Sequence, residues 1–275
     1  HKVGDNMKNF FDKFGEAQKL NLFIGDFVSE ITGFPKRSEL ADMIIFDIKQ
    51  SAKGYIKNRD SFSDVAQAYL DAVISSKNSL LKQIREIFDM KHYKNVDIYD
   101  NIFELDYFKT IMTMNYDIVL EKLYPNYINT ITPGRNNFSE EEKINFYKIM
   151  GDICNPEDLF ITSQDVRKLK VLNFYDSFFE QICTELKSRP TLFLGVELKD
   201  PDFIDMLDFI MKKAGKIEQP MYIVSSTSVI DNKVSEVINK YNLKLTVFDE
   251  VEFLDGVKNL LQKEDSDKLE KKLVR

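Results

Sequence analysis

The chain has 275 residues, 43% of them hydrophobic and 30% charged, with a formal net charge of -7 and a pI near 5.1. This suits a packed globular protein of one large or two small domains, and the acidic balance without any Lys or Arg run argues against direct nucleic-acid binding. No apolar stretch approaches the roughly 18 residues of a membrane span, and two cysteines, Cys154 and Cys183, are too few for a disulfide framework or a Cys-rich zinc site, so a cytoplasmic chain without zinc is expected.

The first strong element is Leu20–Ile24, a short apolar run that stops at Gly25 and reads as a buried strand turning toward a helix. From about residue 38 to 108 apolar residues recur at helical spacing, as in Leu40, Ile44, Ile48 and later Leu80, Leu81, Ile84, Ile87, which predicts a helical layer inserted after the first strand. A strand follows at Thr110–Thr113, ahead of the polar turn Asn115-Tyr116-Asp117 and a short helix from Ile118 to Leu123. Residues 125–142 read as an irregular excursion. Ile144–Met150 reads as a strand ending at Gly151-Asp152, Leu159–Thr162 as another short strand, and Val171–Leu186 as one amphipathic helix.

The last third alternates regularly: strand Thr191–Leu194 closed by Gly195, helix Asp202–Ala214, strand Met221–Val224, helix Asn232–Tyr241, strand Leu243–Phe248 and helix Val251–Leu261. Residues 263–275 form a mixed-charge tail. Strands alternating with helices imply an α/β fold with a Rossmann-like, mostly parallel open sheet, here expected as a single domain over 1–275. Ligands of such sheets bind beyond the carboxyl ends of the strands, where four segments fall: Gly25-Asp26-Phe27-Val28-Ser29, Thr113-Met114-Asn115-Tyr116-Asp117, Met150-Gly151-Asp152 and Gly195-Val196-Glu197, the last leading to Asp200-Pro201.

As an ordered set these segments resemble the sirtuin family, most closely the sirtuin-like domains of prokaryotic antiviral-defence proteins. Gly25 and Ser29 match the family's Gly-Ala-Gly-x-Ser, and Gly33-Phe34-Pro35 its Gly-x-Pro turn. Thr113, Asn115, Tyr116, Asp117 and Glu121 match Thr-x-Asn-Tyr-Asp with its following Glu. Gly151-Asp152 matches the end of His-Gly-Asp, Thr162-Ser163-Gln164-Asp165-Val166 resembles a Thr-x-x-x-Tyr segment, and Gly195 with Asp200-Pro201 matches the last motif. The resemblance implies NAD as the cofactor, Asn115 as a catalytic-site residue, and Gly25, Ser29, Pro35, Asn115, Asp117, Gly151 and Gly195 as cofactor contacts.

The departures are at the positions that would carry the chemistry. Met150 stands where the family has its catalytic histidine, and a thioether has no proton to exchange; losing a general base typically costs on the order of 10²–10⁴ in rate. Phe27 replaces a glycine that lets backbone approach pyrophosphate, Asp26 adds negative charge beside it, and Glu197 stands where a small hydroxyl residue is usual. Two readings follow: a degenerate domain with weak NAD binding that acts by binding or assembly, as a homo-oligomer or with a defence-system partner, or an active NAD glycohydrolase in which Asp152 or Glu197 replaces the base. His92 reads as a surface histidine and Cys154 as an inert thiol.

Overall fold

The computed structural model describes residues 19–259, apart from 51, 73–75, 90–92, 105, 136–141, 227–230 and 257; His92 and the tail at 263–275 lie outside the described residues. Seven strands form one sheet: β1 (Leu20–Ile24), β2 (Phe108–Thr113), β3 (Ile128–Ile131), β4 (Ile144–Lys148), β5 (Thr191–Leu194), β6 (Met221–Ser225) and β7 (Lys244–Val247). Their order is β3-β4-β2-β1-β5-β6-β7, and every pair is parallel. Strands β1, β5 and β6 are buried along their whole length, as expected of central strands covered on both faces.

Helices α1 (Asp26–Ile31), α2 (Arg37–Asp47), α3 (Phe62–Asp71), α4 (Lys77–Ile87) and α5 (Asp97–Glu104) lie between β1 and β2. Helix α6 (Val119–Leu123) follows β2, α7 (Ser163–Val171) and α8 (Asp176–Ser188) precede β5, α9 (Pro201–Ala214) follows it, and α10 (Asn232–Lys240) joins β6 to β7. On one face of the sheet Phe23, Met112 and Phe193 stand in register on β1, β2 and β5. Phe193 lies 5.2 Å and Phe203 of α9 5.6 Å from Phe23, ring centre to ring centre, while Ile182 and Leu186 bring α8 onto the same seam.

Several local readings change. The excursion at 125–142 contains β3, an edge strand whose four residues are too few to show a period against the polar turns around it. Leu159–Thr162 is no strand: Leu159 makes one antiparallel bridge to Gly151, and the Thr162 hydroxyl accepts the Asp165 N–H (3.1 Å) to cap α7. The single helix expected over Val171–Leu186 is two, because Leu172 leaves helical geometry (ψ 125°) and a 3₁₀ turn at Asn173–Tyr175 intervenes. Strand β4 stops at Lys148, and residues 250–256 are helical.

The topology places a switch point. From β1 the chain adds β2, passes to the edge strand β3 and fills the gap with β4 on one side, then returns to β5 and builds through β6 and β7 on the other. The order therefore reverses between β1 and β5, where open α/β sheets leave a crevice beyond the strand ends.

Candidate functional site

The loops after β1 and β2 are tied together by their polar side chains. The Thr113 hydroxyl donates to the Ile24 carbonyl (2.8 Å) and accepts the Asn115 N–H (3.0 Å). The Asn115 amide nitrogen donates to the Gly25 carbonyl (3.0 Å), and the Ser29 hydroxyl donates to Asp117 Oδ2 (2.5 Å). Asp117 Oδ1 accepts the Val119 N–H (3.2 Å) in the turn that leads into α6. Gly25, Ser29, Asn115 and Asp117 thus form one connected group, with Asn115 Oδ1 buried and without a hydrogen-bond partner among the described residues.

Gly151 stands apart from that group. It has φ +81°, and a Cβ there would overlap the Asp158 carbonyl oxygen, so a glycine is required by both conformation and contact. Met150 is 1% exposed and belongs to the hydrophobic core. Pro35 is half-buried in the turn before α2.

At the switch point β1 and β5 continue to pair past their strand ends. The Gly25 N–H donates to the Leu194 carbonyl and the Phe27 N–H to the Gly195 carbonyl, each at 2.9 Å. A Cβ on Gly25 would overlap the Gly195 carbonyl oxygen and Val196 Cα and lie 2.6 Å from the Gly195 carbonyl carbon. A Cβ on Gly195 (φ +67°) would stand 3.2 Å from Phe27 Cβ. The crevice between β1 and β5 is therefore filled by the chain's own backbone, and the N–H groups of Gly25 and Phe27 are already spent.

Both signs of charge meet at this end, with Glu197, Arg37 and Lys36 all near Asp26. Asp26 is buried and accepts the Arg37 N–H (2.8 Å). Burial pushes its pKa up to about 6, against the pull of the Arg37 guanidinium, and Glu197 adds to the rise. Asp152 and Glu197, the two carboxylates considered as substitute bases, accept the Cys154 N–H (2.9 Å) and the Lys199 N–H (3.2 Å) in their own turns.

Two charged groups were not singled out from sequence. Arg37, buried between the Phe62 and Tyr116 rings, pairs with Asp202 (2.7 Å) and Asp200 (3.3 Å). Asp202 also accepts the Ser61 and Ser63 hydroxyls (2.6 and 2.8 Å) and the Ser63 N–H (2.9 Å). Burial, with Asp202 and Asp26 nearby, drives Asp200 well above the usual carboxylate range despite Arg37; Arg37 and Ser61 hold Asp202 below it against the cost of burial. The second group is Lys148, 0% exposed, whose ammonium donates to Glu121 Oε1 (2.5 Å) and the Asp117 carbonyl (2.9 Å). Burial opposes its charge, but Glu121 raises its pKa, while burial also raises that of Glu121. The only sequence signals were Arg37's place just after the Gly33-Phe34-Pro35 turn and a lysine inside an apolar strand.

A family model for the SIR2-like domain matches residues 109–246, half of the chain, from β2 into β7. The chain belongs to the SIR2-like family. The match takes in Asn115, Asp117, Gly151 and Gly195; Gly25, Ser29 and Pro35 precede it. No curated protein matches the chain.

SIR2-like domains generally bind NAD. The orphaned Asn115 Oδ1 would suit a ligand donor, but the rest of this SIR2-like site does not suit a dinucleotide. Phe27 stands where a glycine would let backbone approach pyrophosphate, its N–H and that of Gly25 face carbonyls, and the buried Asp26 lies between them. Among the described residues no group of three His, Cys, Asp or Glu is arranged to hold a metal ion, and no helix is long and apolar enough to cross a membrane.

Proposed function

We propose that this SIR2-like domain is catalytically degenerate and acts by binding or assembly, with a second copy or a defence-system partner, and that any NAD binding is weak. The reading is carried by the junction of β1 and β5, where the Gly25 N–H continues the strand ladder to Leu194 and the Phe27 N–H is taken by the Gly195 carbonyl. Met150, buried where a proton-transferring histidine is expected, supports it. The prokaryotic antiviral-defence setting rests on the ordered motifs.

The test is incubation of the purified chain with NAD, following nicotinamide release by chromatography and binding by calorimetry. Negligible release and weak binding are expected. Met150→His alone should not restore turnover, because Phe27 still stands in the phosphate path; combining it with Asp26→Ala and Phe27→Gly removes that bulk and charge and should restore part of it. Robust release by the unmodified chain, abolished by Asn115→Ala, would overturn the reading in favour of an active NAD glycohydrolase. That second reading has one observation on its side, the unpartnered Asn115 Oδ1.

A further inference from the structure

Beyond the carboxyl ends of β2 and β4 lies a cavity of about 840 Å³, within the range of about 300–1,000 Å³ common for small-molecule sites. Its walls come from α4, from the start of α6, and from the turn that follows Met150-Gly151-Asp152. None of Gly25, Ser29, Asn115, Asp117, Gly151 or Gly195 lines it, so it is separate from the closed crevice.

The floor is apolar and firmly held. Leu81, Phe88, Ile118 and Ile153 face the cavity and are otherwise buried. The Phe88 ring rests against Phe34 and Tyr116 at 5.7 and 6.1 Å, which ties the floor to the core and to the Asn115-Tyr116-Asp117 turn. The walls are charged. Arg85 donates from Nε to the Ile153 carbonyl (2.9 Å), spanning from α4 to the turn after β4, so its guanidinium is fixed at the wall before any ligand arrives. Lys122 on α6 is exposed and forms no ion pair among the described residues. Lys82 meets only Glu86, at 3.9 Å and with both side chains largely exposed, a weak pairing. Among the lining residues three cations, Lys82, Arg85 and Lys122, face two carboxylates, Glu86 and Asp89. A cation excess in a concave apolar site, on a chain of net charge -7, is the arrangement that concentrates anions.

We propose that this cavity is a binding site for a small organic anion with an apolar or aromatic body, its charge held by Arg85 and Lys122 and its body seated on Leu81, Phe88, Ile118 and Ile153. The inference does not rest on the state of the β1–β5 crevice. Cys154 lines the same cavity and is exposed, whereas Cys183 is buried, so thiol labelling reports occupancy directly.

The probe is 8-anilinonaphthalene-1-sulfonate, an aromatic sulfonate that fluoresces when desolvated. Saturable binding is expected, and at saturation alkylation of Cys154 by N-ethylmaleimide should slow at least about fivefold, the scale set by an occupancy above four-fifths. A cationic dye of similar size should give no protection. Lys122→Glu should weaken sulfonate binding about tenfold, equivalent to about 1.4 kcal/mol, and at the same probe concentration cut the protection from about fivefold to about 1.4-fold. This exposed position carries the decision because Arg85→Ala also removes the brace to Ile153. Far-UV circular dichroism and the urea midpoint should be unchanged in Lys122→Glu. Sulfonate binding that leaves Cys154 labelling untouched, or that Lys122→Glu does not weaken, would overturn the proposal, as would equal protection by the cationic dye.

Discussion

Gly25→Ala is the most direct test of the closed crevice. Gly25 has φ -101°, a conformation open to alanine, so the substitution carries no backbone penalty of its own. What it meets is contact: the new methyl would overlap the Gly195 carbonyl oxygen and Val196 Cα, both backbone atoms that no rotamer change can move. Relief requires the ends of β1 and β5 to part, which strains or breaks the Gly25-to-Leu194 and Phe27-to-Gly195 hydrogen bonds. Overpacking costs about 1–3 kcal/mol, and each of the two hydrogen bonds adds about 0.5–1.5 kcal/mol, so a loss of about 2–6 kcal/mol is expected. With a urea slope of about 2–3 kcal/mol/M, the unfolding midpoint should fall by about 0.7–3 M at unchanged slope. A crevice that stands open in solution, ready for a dinucleotide, would accept the methyl. A loss below about 1 kcal/mol, with the slope preserved, would refute the closed geometry and with it the main support for a degenerate site.

Asp26 predicts a pH dependence. Its carboxyl keeps a proton in the folded chain up to about pH 6 but releases it near 3.8 when unfolded, so the unfolded state binds fewer protons in that window. Stability attributable to Asp26 therefore falls as pH rises from about 4 to 6, by about 3 kcal/mol, and Asp26→Asn should remove that slope from urea midpoints measured across pH 4–7. An identical slope in the variant would contradict the burial of an ionisable Asp26. Lys148→Met should cost about 3–5 kcal/mol by leaving Glu121 and the Asp117 carbonyl without their ammonium, and adding Glu121→Gln should recover part of it. A double-mutant cycle giving a coupling below about 0.5 kcal/mol would show that the pair is not formed. Gly151→Ala combines a φ of +81° with overlap on the Asp158 carbonyl and should lower thermal stability by more than about 3 kcal/mol; a smaller loss would mean that the turn after β4 is set differently.

Much of the architecture was written locally. Leu20–Ile24 and Thr191–Leu194 are apolar runs closed by glycine, and the last third alternates strand and helix at lengths that admit little else; a buried strand in a parallel sheet needs only such a run. Polar residues gathered at the strand ends were legible for the same reason: a parallel sheet places every strand's carboxyl end on one side, so Gly25, Ser29, Asn115 and Asp117 had to lie near one another. The edge strand β3 and the break at Leu172 were not legible, because four residues show no period and a helix interrupted by one 3₁₀ turn keeps its apolar spacing.

The sequence alone determined a parallel α/β sheet and the side of it on which its polar turns collect. Strand order and the closing of loops upon one another were decided only by the tertiary structure. Arg37 reaches Asp202 across 165 positions, and Gly25 abuts Gly195 only because β1 and β5 are neighbours at the reversal of the sheet. Lys148, within the strand expected over Ile144–Met150, became part of a buried ion pair only because α6 brings Glu121 over it. Periodicity records which face of an element is buried, whereas a site is made by atoms a few ångströms apart on elements far apart in the chain, and that distance is set by which strands pair.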